Sequence, residues 1–355
     1  MDYNDYNLKE GMVAYMENKQ IVFTKINTAE LLDSDYREPG PHEIAVRTEI
    51  SSVSCGTERA NLTGDPNISI NSDENCEVVF PRYSGYSSSG TVIAKGSEVT
   101  DFEIGDTVAM SWTFHKQINV IDENNAVKFD ASKVSMQSAA LCHIGTFPIA
   151  ALRKTNLEIG ESMLVMGLGI LGLMAVQFSK AAGAVPVVAV DPDESRRKKA
   201  LEFGADFALD PFEDGFADKV KELTDGGVNA AIEVTGLGAG LNQCLDCMAK
   251  FGRIALLGCT RDKNFTVDYY RKVHGPGIHL IGAHTNARPV NESSHGYFSQ
   301  KDDIKSILKL CELKRIKLEE MIDEVNSPKD CTMVYDRLAN DREFPVVVQF
   351  DWSKF

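Results

Sequence analysis

Met163-Leu164-Val165-Met166-Gly167-Leu168-Gly169-Ile170-Leu171-Gly172 decides how this 355-residue chain is read. Four apolar residues suited to a buried strand run into G-x-G-x-x-G. The chain then carries Leu171, Ala175, Phe178 and Ala182 at spacings of four, three and four, one apolar helix face. Three glycines alone are weak evidence, but a strand before them and a helix after them make a dinucleotide-binding turn. Gly167 permits the tight turn, Gly169 lets the backbone approach a pyrophosphate, and Gly172 lets helix and strand pack closely. Ile170 and Leu171 sit at the helix N-terminus, whose unpaired N–H groups favour an anion. Asp191 ends the next apolar run, nineteen residues beyond Gly172, where a carboxylate accepts from ribose hydroxyls and repels a 2′-phosphate. NAD is therefore favoured over NADP. Arg196 and Arg197 keep NADP open, and Asp191 also reads as a helix cap before Pro192.

Outward from this motif the chain divides. Downstream, Val187-Val188-Ala189-Val190, Ala230-Ala231-Ile232-Glu233-Val234, Ile254-Ala255-Leu256-Leu257 and His279-Leu280-Ile281 alternate with helical stretches. That rhythm implies βαβ units, hence a Rossmann-type doubly wound parallel sheet in an α/β fold. Thr235, just past one of these runs, joins the cofactor-binding candidates. Upstream, short β-branched runs such as Gln20-Ile21-Val22-Phe23-Thr24, Glu43-Ile44-Ala45-Val46-Arg47 and Thr91-Val92-Ile93-Ala94 are punctuated by Gly, Pro, Asn and Ser, the pattern of a β-rich barrel. After residue 285 come a polar stretch, a helix near 303–314 and a strand-like Pro345-Val346-Val347-Val348-Gln349-Phe350 that returns to the first domain. The expected units are 1–143 with 285–355, and 144–284.

Composition narrows the function. Hydrophobic residues at 43% and charged residues at 25% are those of an ordinary globular chain. A formal charge of −15 leaves no basic surface for nucleic acid or anionic lipid. The apolar run from Met163 to Phe178 is too short and too glycine-rich to span a membrane. Eight scattered cysteines suit reduced thiols, and Met1-Asp2-Tyr3-Asn4-Asp5 lacks the features of a signal peptide, so a cytoplasmic protein is expected.

Cys55-Gly56-Thr57-Glu58, the stretch from Gly90 to Gly96-Ser97-Glu98-Val99, Phe102-Glu103-Ile104-Gly105-Asp106-Thr107-Val108 and the glycine motif together resemble the medium-chain dehydrogenase/reductase superfamily over nearly the whole chain. That resemblance implies a GroES-like barrel paired with a Rossmann domain, an active site between them, and a homodimer or homotetramer joined through the strand near Gly277 to Ala283. The wording Ser84-Gly85-Tyr86-Ser87-Ser88-Ser89-Gly90 is most similar to the bacteriochlorophyllide hydroxyethyl dehydrogenase-like branch. In zinc-dependent members the first motif carries a cysteine ligand and a later Gly-His-Glu supplies more. Here the later motif reads Gly85-Tyr86-Ser87, and the remaining ligand position falls near Cys142, beside His143. The four-cysteine zinc lobe is missing, and Cys244-x-x-Cys247 reads as packing.

Without the full ligand set, a protic side chain must stabilise the developing alkoxide. Tyr86 stands where the metal-binding histidine would be, though a phenol needs its pKa lowered from about 10 to serve as a base. His143 is the second candidate, Thr57 matches the proton-relaying hydroxyl of relatives, and Cys55 completes the catalytic set. Each also has a plain structural reading: Tyr86 as a packed aromatic, Cys55 and Cys142 as small hydrophobes, His143 and His115 as core histidines. A zinc site from Cys55, Cys142 and either Glu58 or His143 is the metal alternative. Thr57, Arg59, Tyr86, Ser87 and His143 are read as a polar cleft suited to a polyol or sugar derivative. The expected activity is NAD-dependent oxidation of an alcohol or polyol. A zinc-free quinone or enone reductase and a non-catalytic NAD sensor are the rivals.

Overall fold

Short β-branched runs build the first half of the computed structural model, which describes residues 17–68, 71–72, 75–260 and 264–355. Eight strands come first: β1 (Lys19–Lys25), β2 (Thr28–Asp33), β3 (Glu43–Ser52), β4 (Arg82–Tyr83), β5 (Ser87–Lys95), β6 (Thr107–Ser111), β7 (Ile118–Asp122) and β8 (Ala126–Lys128). Strands β2, β1 and β4 form a small antiparallel sheet; β3, β5, β6 and β8 line up in a larger one, with β7 also on β3. Helix α1 (Cys55–Leu62) follows β3, and α2 (Met136–Ala139) and α3 (Cys142–Lys154) lead out of this half.

The alternation expected from residue 163 onward is present: β9 (Met163–Met166), α4 (Ile170–Ala181), β10 (Val187–Val190), α5 (Glu194–Glu202), β11 (Phe207–Leu209), α6 (Phe216–Leu223), β12 (Val228–Glu233), α7 (Gly238–Asp246), β13 (Met248–Leu256) and β14 (His279–Gly282). Every ladder in this sheet is parallel, in the order β11-β10-β9-β12-β13-β14. The order reverses between β9 and β12, the switch point where doubly wound sheets bind ligands beyond the strand ends. The run from Met163 to Phe178 resolves into β9, the glycine turn and most of α4, and no described helix is long and apolar enough to cross a membrane. Helix α4 departs from the one-face expectation. Leu173, Met174 and Val176 are buried as well, because α3 covers the side of α4 turned from the sheet, while Ala182 lies exposed past its end.

The chain closes with α8 (Gln300–Glu312), β15 (Glu324–Asn326), α9 (Cys331–Asn340) and β16 (Val348–Asp351). Strand β16 pairs antiparallel with β3, Gln349 opposite Ser52, so the late apolar run does return to the first sheet. One buried cluster joins the halves, with Ala109, Leu141, Met163, Phe178, Ile304, Ile307 and Val347 among its members. Each large apolar side chain so buried contributes about 1.5–3 kcal/mol. Helices α3 and α8 pack together within it, and an Arg153–Asp303 ion pair of 2.9 Å ties them. The expected boundary at 143 therefore falls in the first turn of a helix that packs against both sheets' elements.

Candidate active site

The cofactor half is made of backbone. Gly167 has φ +98°, in the left-handed region, and a Cβ on Gly172 would stand 1.9 Å from Gly167 O, so both positions demand glycine. A Cβ on Gly169 would meet nothing within 4 Å, which leaves that side open for a pyrophosphate. Gly169 caps α4 without any side-chain hydrogen bond, and the first helical bond runs from Leu173 N to Gly169 O. The N–H groups of Ile170, Leu171 and Gly172 thus lack intrahelical acceptors, a ready anion site. Asp191 Oδ2 accepts from Leu168 N at 2.8 Å and Oδ1 from Asp193 N at 2.9 Å. A carboxylate oxygen accepts more than one bond, so each keeps capacity for a ribose hydroxyl. Arg196 Nη1 lies 3.8 Å from Asp191 Oδ2, and Thr235 Cγ2 is the nearest atom to the Cβ position of Gly167. The cofactor-binding candidates therefore come together around one turn. Residues suited to a dinucleotide are in place.

The barrel half is made of side chains. Gly85, at φ +91°, brings the chain so close to its neighbour that a Cβ would meet His115 N at 2.6 Å, and this turn sets Tyr86 at the entrance of β5. The Tyr86 phenol donates to Ser54 Oγ, and the Thr57 side chain lies near it. Burial, opposed by the Ser54 bond, raises the phenol above its usual value near 10. The lowering that a phenolate base requires is not supplied here, and burial favours Tyr86 as a neutral donor. Thr57, in the first turn of α1, is exposed.

Behind them lies a closed polar network. Buried Glu58 accepts from Ser54 N (2.8 Å), His115 Nε2 (3.1 Å) and the Tyr335 hydroxyl. His115 Nδ1 meets Ser51 Oγ at 2.7 Å, and Ser51 in turn accepts from Trp352 Nε1 at 2.9 Å. His115 is therefore structural. Ser87 donates to Ala140 O (2.6 Å) and Arg59 Nε to Leu338 O (2.8 Å). His143 is surrounded by rings, its centroid 4.6 Å from Trp112, 5.3 Å from Phe147 and 5.5 Å from Tyr86. The expected polar cleft is corrected accordingly. Ser87 is spent on a carbonyl and His143 has an aromatic wall, which leaves Thr57, Tyr86 and the Arg59 guanidinium, only one of whose donors is used, as the polar groups of the five. An open groove of about 620 Å³ beside β1 and β2, lined by Leu32, Asp35, Tyr83, Phe114 and Lys116, holds none of these groups.

The zinc-binding dehydrogenase family model matches residues 171–294. L-threonine 3-dehydrogenase of Pyrococcus horikoshii is 28% identical over 303 residues, 78% of this chain and 83% of its own. D-guloside 3-dehydrogenase of Escherichia coli is 25% identical over 339 residues, 90% and 96% of the two chains. The crystal structure of benzyl alcohol dehydrogenase from Acinetobacter calcoaceticus matches with a TM-score of 0.79 at 20% identity, over 94% of this chain and 99% of that one. Together these matches support the medium-chain dehydrogenase/reductase superfamily that the sequence motifs resemble.

For a superfamily with zinc-dependent members, the donor set is the next test, and here it does not converge. Cys55 Sγ points at the carbonyls of Pro345 and Val346, 3.8 and 3.7 Å away, and burial pushes its thiol to about 12. Cys142 Sγ turns back to Ser138 O on its own chain segment and sits in the joint core. Glu58 is held by three donors, and burial lowers the His143 imidazole to about 3 among rings. Among the described residues no three His, Cys, Asp or Glu side chains form a metal-binding group. As placed here, Cys55, Cys142, Glu58 and His143 are engaged with separate neighbours and do not converge on one point as zinc donors would. Cys244 and Cys247 lie in an apolar cluster of the Rossmann half, as packing residues would. Missed in the sequence were Trp112, Phe147 and the partners of Glu58. Only Phe147 left a signal, four residues after His143 on one face of α3.

Proposed function

We propose that this chain is an NAD-dependent dehydrogenase of secondary alcohols, acting on a polyol or sugar derivative, with protein hydroxyls in place of zinc. The observation that carries the reading is the Tyr86 phenol, kept neutral by burial and hydrogen-bonded beside exposed Thr57, in a pocket whose would-be zinc donors point elsewhere. The relatives support the substrate class: a D-guloside 3-dehydrogenase and a sorbitol dehydrogenase are among them.

The glycine turn, the start of α4, Asp191 and Thr235 would hold NAD, which when bound supplies the acceptor for the hydride leaving the carbinol carbon. The substrate hydroxyl donates to Tyr86 Oη, because the phenol's single hydrogen is given to Ser54 Oγ. Once the substrate's proton has crossed to Tyr86, the new O–H donates back to the oxygen on which charge develops. The substrate's hydroxyl proton passes to Tyr86 Oη while the phenol's own proton moves to the Ser54 or Thr57 hydroxyl. Thr57 is exposed, so the proton reaches water there. The phenol stays neutral throughout, and its raised pKa is no obstacle. Ala60 offers no further relay group on α1. Leu280 is exposed on β14 at the sheet edge, which supports a homodimer or homotetramer built on that edge.

The test is turnover of secondary alcohols, sugars and the matching ketones with NAD(H) and NADP(H), before and after dialysis against a chelator. Activity that survives chelation and falls about 10²–10³-fold in Tyr86→Phe, with NADH binding retained, is expected. Activity that disappears with the metal and returns with zinc overturns the reading.

A further inference from the structure

His143 is buried to 1% exposure, and neither of its ring nitrogens has a hydrogen-bond partner among the described residues. A neutral imidazole carries one donor and one acceptor, and each left bare in the interior costs about 1–3 kcal/mol. Contacts between its N–H and the edge-on rings of Trp112, Phe147 and Tyr86 recover a fraction of that. A leucine would fill the same space without the cost.

The ring that separates His143 from water is the other anomaly. Trp112 is 47% exposed and has φ +57°, a left-handed backbone that a residue with a Cβ adopts at a cost of about 1–2 kcal/mol. Its N–H is tied to Tyr86 O at 2.8 Å, so the main chain is pinned and the half-exposed indole is the part free to turn. Tyr86 forms the adjoining wall, its ring 5.5 Å from the imidazole centroid and 6.3 Å from that of Trp112. A group held by His143 would therefore lie next to the carbon whose oxygen meets the Tyr86 phenol.

We propose that His143 reads a second hydroxyl of the substrate, on the carbon adjacent to the one oxidised, once the Trp112 indole has swung off it. The assignment rests on the dehydrogenase reading above and gives it a substrate class: vicinal diols, as in polyols and sugars. A hydroxyl both donates and accepts, so it pairs with whichever ring nitrogen faces it. A simple mono-alcohol leaves both bare. Displaced onto the substrate, the indole face covers the C–H surface that a sugar or cyclitol presents.

The experiment compares kcat/KM for cis-1,2-cyclohexanediol with that for cyclohexanol, using NAD and the full-length protein. The wild type is expected to favour the diol about 100-fold. In His143→Leu the ratio falls to within a few-fold of unity, and His143→Asn, which keeps a donor and an acceptor, restores part of it. A parallel titration of the diol into ¹⁵N-histidine-labelled wild type with NAD present reads the His143 ring nitrogens directly and does not depend on a variant folding. An unchanged ratio in His143→Leu, or ring signals indifferent to the diol, overturns the assignment. If the wild type oxidises neither alcohol but the diol still moves the His143 signals, the dehydrogenase reading fails while the diol site stands. Neither turnover nor a shift removes both.

Discussion

In the Rossmann half, the groups placed to meet a ligand are main-chain N–H groups fixed by three glycines; in the barrel half they are side chains whose identities have changed. Around Gly167, Gly169 and Gly172 there is room for one residue type, because Gly167 is left-handed, a Cβ on Gly172 collides with backbone, and one on Gly169 stands where a pyrophosphate would approach. Around Tyr86 the constraints are softer. Where the resemblance places zinc ligands, this chain keeps Cys55 and Cys142 but has a phenol bonded to a serine at Tyr86 and a serine bonded to the Ala140 carbonyl at Ser87. A site built from backbone is lost or kept whole, whereas a site built from side chains can be re-wired one hydrogen bond at a time.

The largest expected effect breaks the backbone half. Gly172→Ala places a methyl 1.9 Å from Gly167 O, an obstacle that cannot rotate away, and should cost about 3 kcal/mol or more of stability and abolish NADH binding. Gly169→Ala is the sharpening control. Nothing lies within 4 Å of its Cβ position, so the urea midpoint should hold to within about 0.5 kcal/mol while NADH affinity drops. Equal loss of stability in both variants would show that the turn is not specialised as described.

Next comes Asp191, where the two halves' logics meet: a side chain held by the glycine loop's own N–H at Leu168. Asp191→Ser removes the charge that repels a 2′-phosphate and releases Arg196 to face one. The ratio of kcat/KM for NAD to that for NADP should fall about 10–100-fold. A ratio that does not move would mean that neither Asp191 nor Arg196 lies at the adenosine ribose.

What could be read in the sequence follows the same division. The glycine turn, Asp191 and the parallel sheet were legible because backbone geometry restricts residue type and spacing at those positions. The return of β16 to β3 was legible from its apolar run. Glu58's true role was not, since its partners His115 and Tyr335 lie 57 and 277 residues away along the chain and only folding brings them together. The aromatic wall was hidden for another reason. Trp112 reaches His143 through a left-handed residue at a strand end, a conformation with no sequence pattern for a tryptophan. Tyr86 was found, but the direction of its ionisation was not legible, because burial cannot be seen in composition and here it raises the phenol.

The smallest effect concerns acid stability and the barrel half alone. Burial, and after it the guanidinium of Arg288, which donates to Thr146 O one turn along α3, lowers the His143 imidazole to about 3, against about 6.5 in an unfolded chain. The other ionisable group in its wall, Tyr86, is neutral over this range. Between those two values the unfolded chain binds a proton that the native state refuses, so stability declines as pH falls through 6.5 toward 3 and is unaffected well above it. From pH 7 to pH 5.5 this amounts to about 1 kcal/mol, read as a shift in urea midpoint that His143→Leu should lack. If wild type and His143→Leu lose stability equally over that interval, the imidazole takes up its proton as readily folded as unfolded. It would then stand in water rather than beneath Trp112, and the barrel half would lose the closed aromatic wall that sets it apart from the open, backbone-lined cradle opposite.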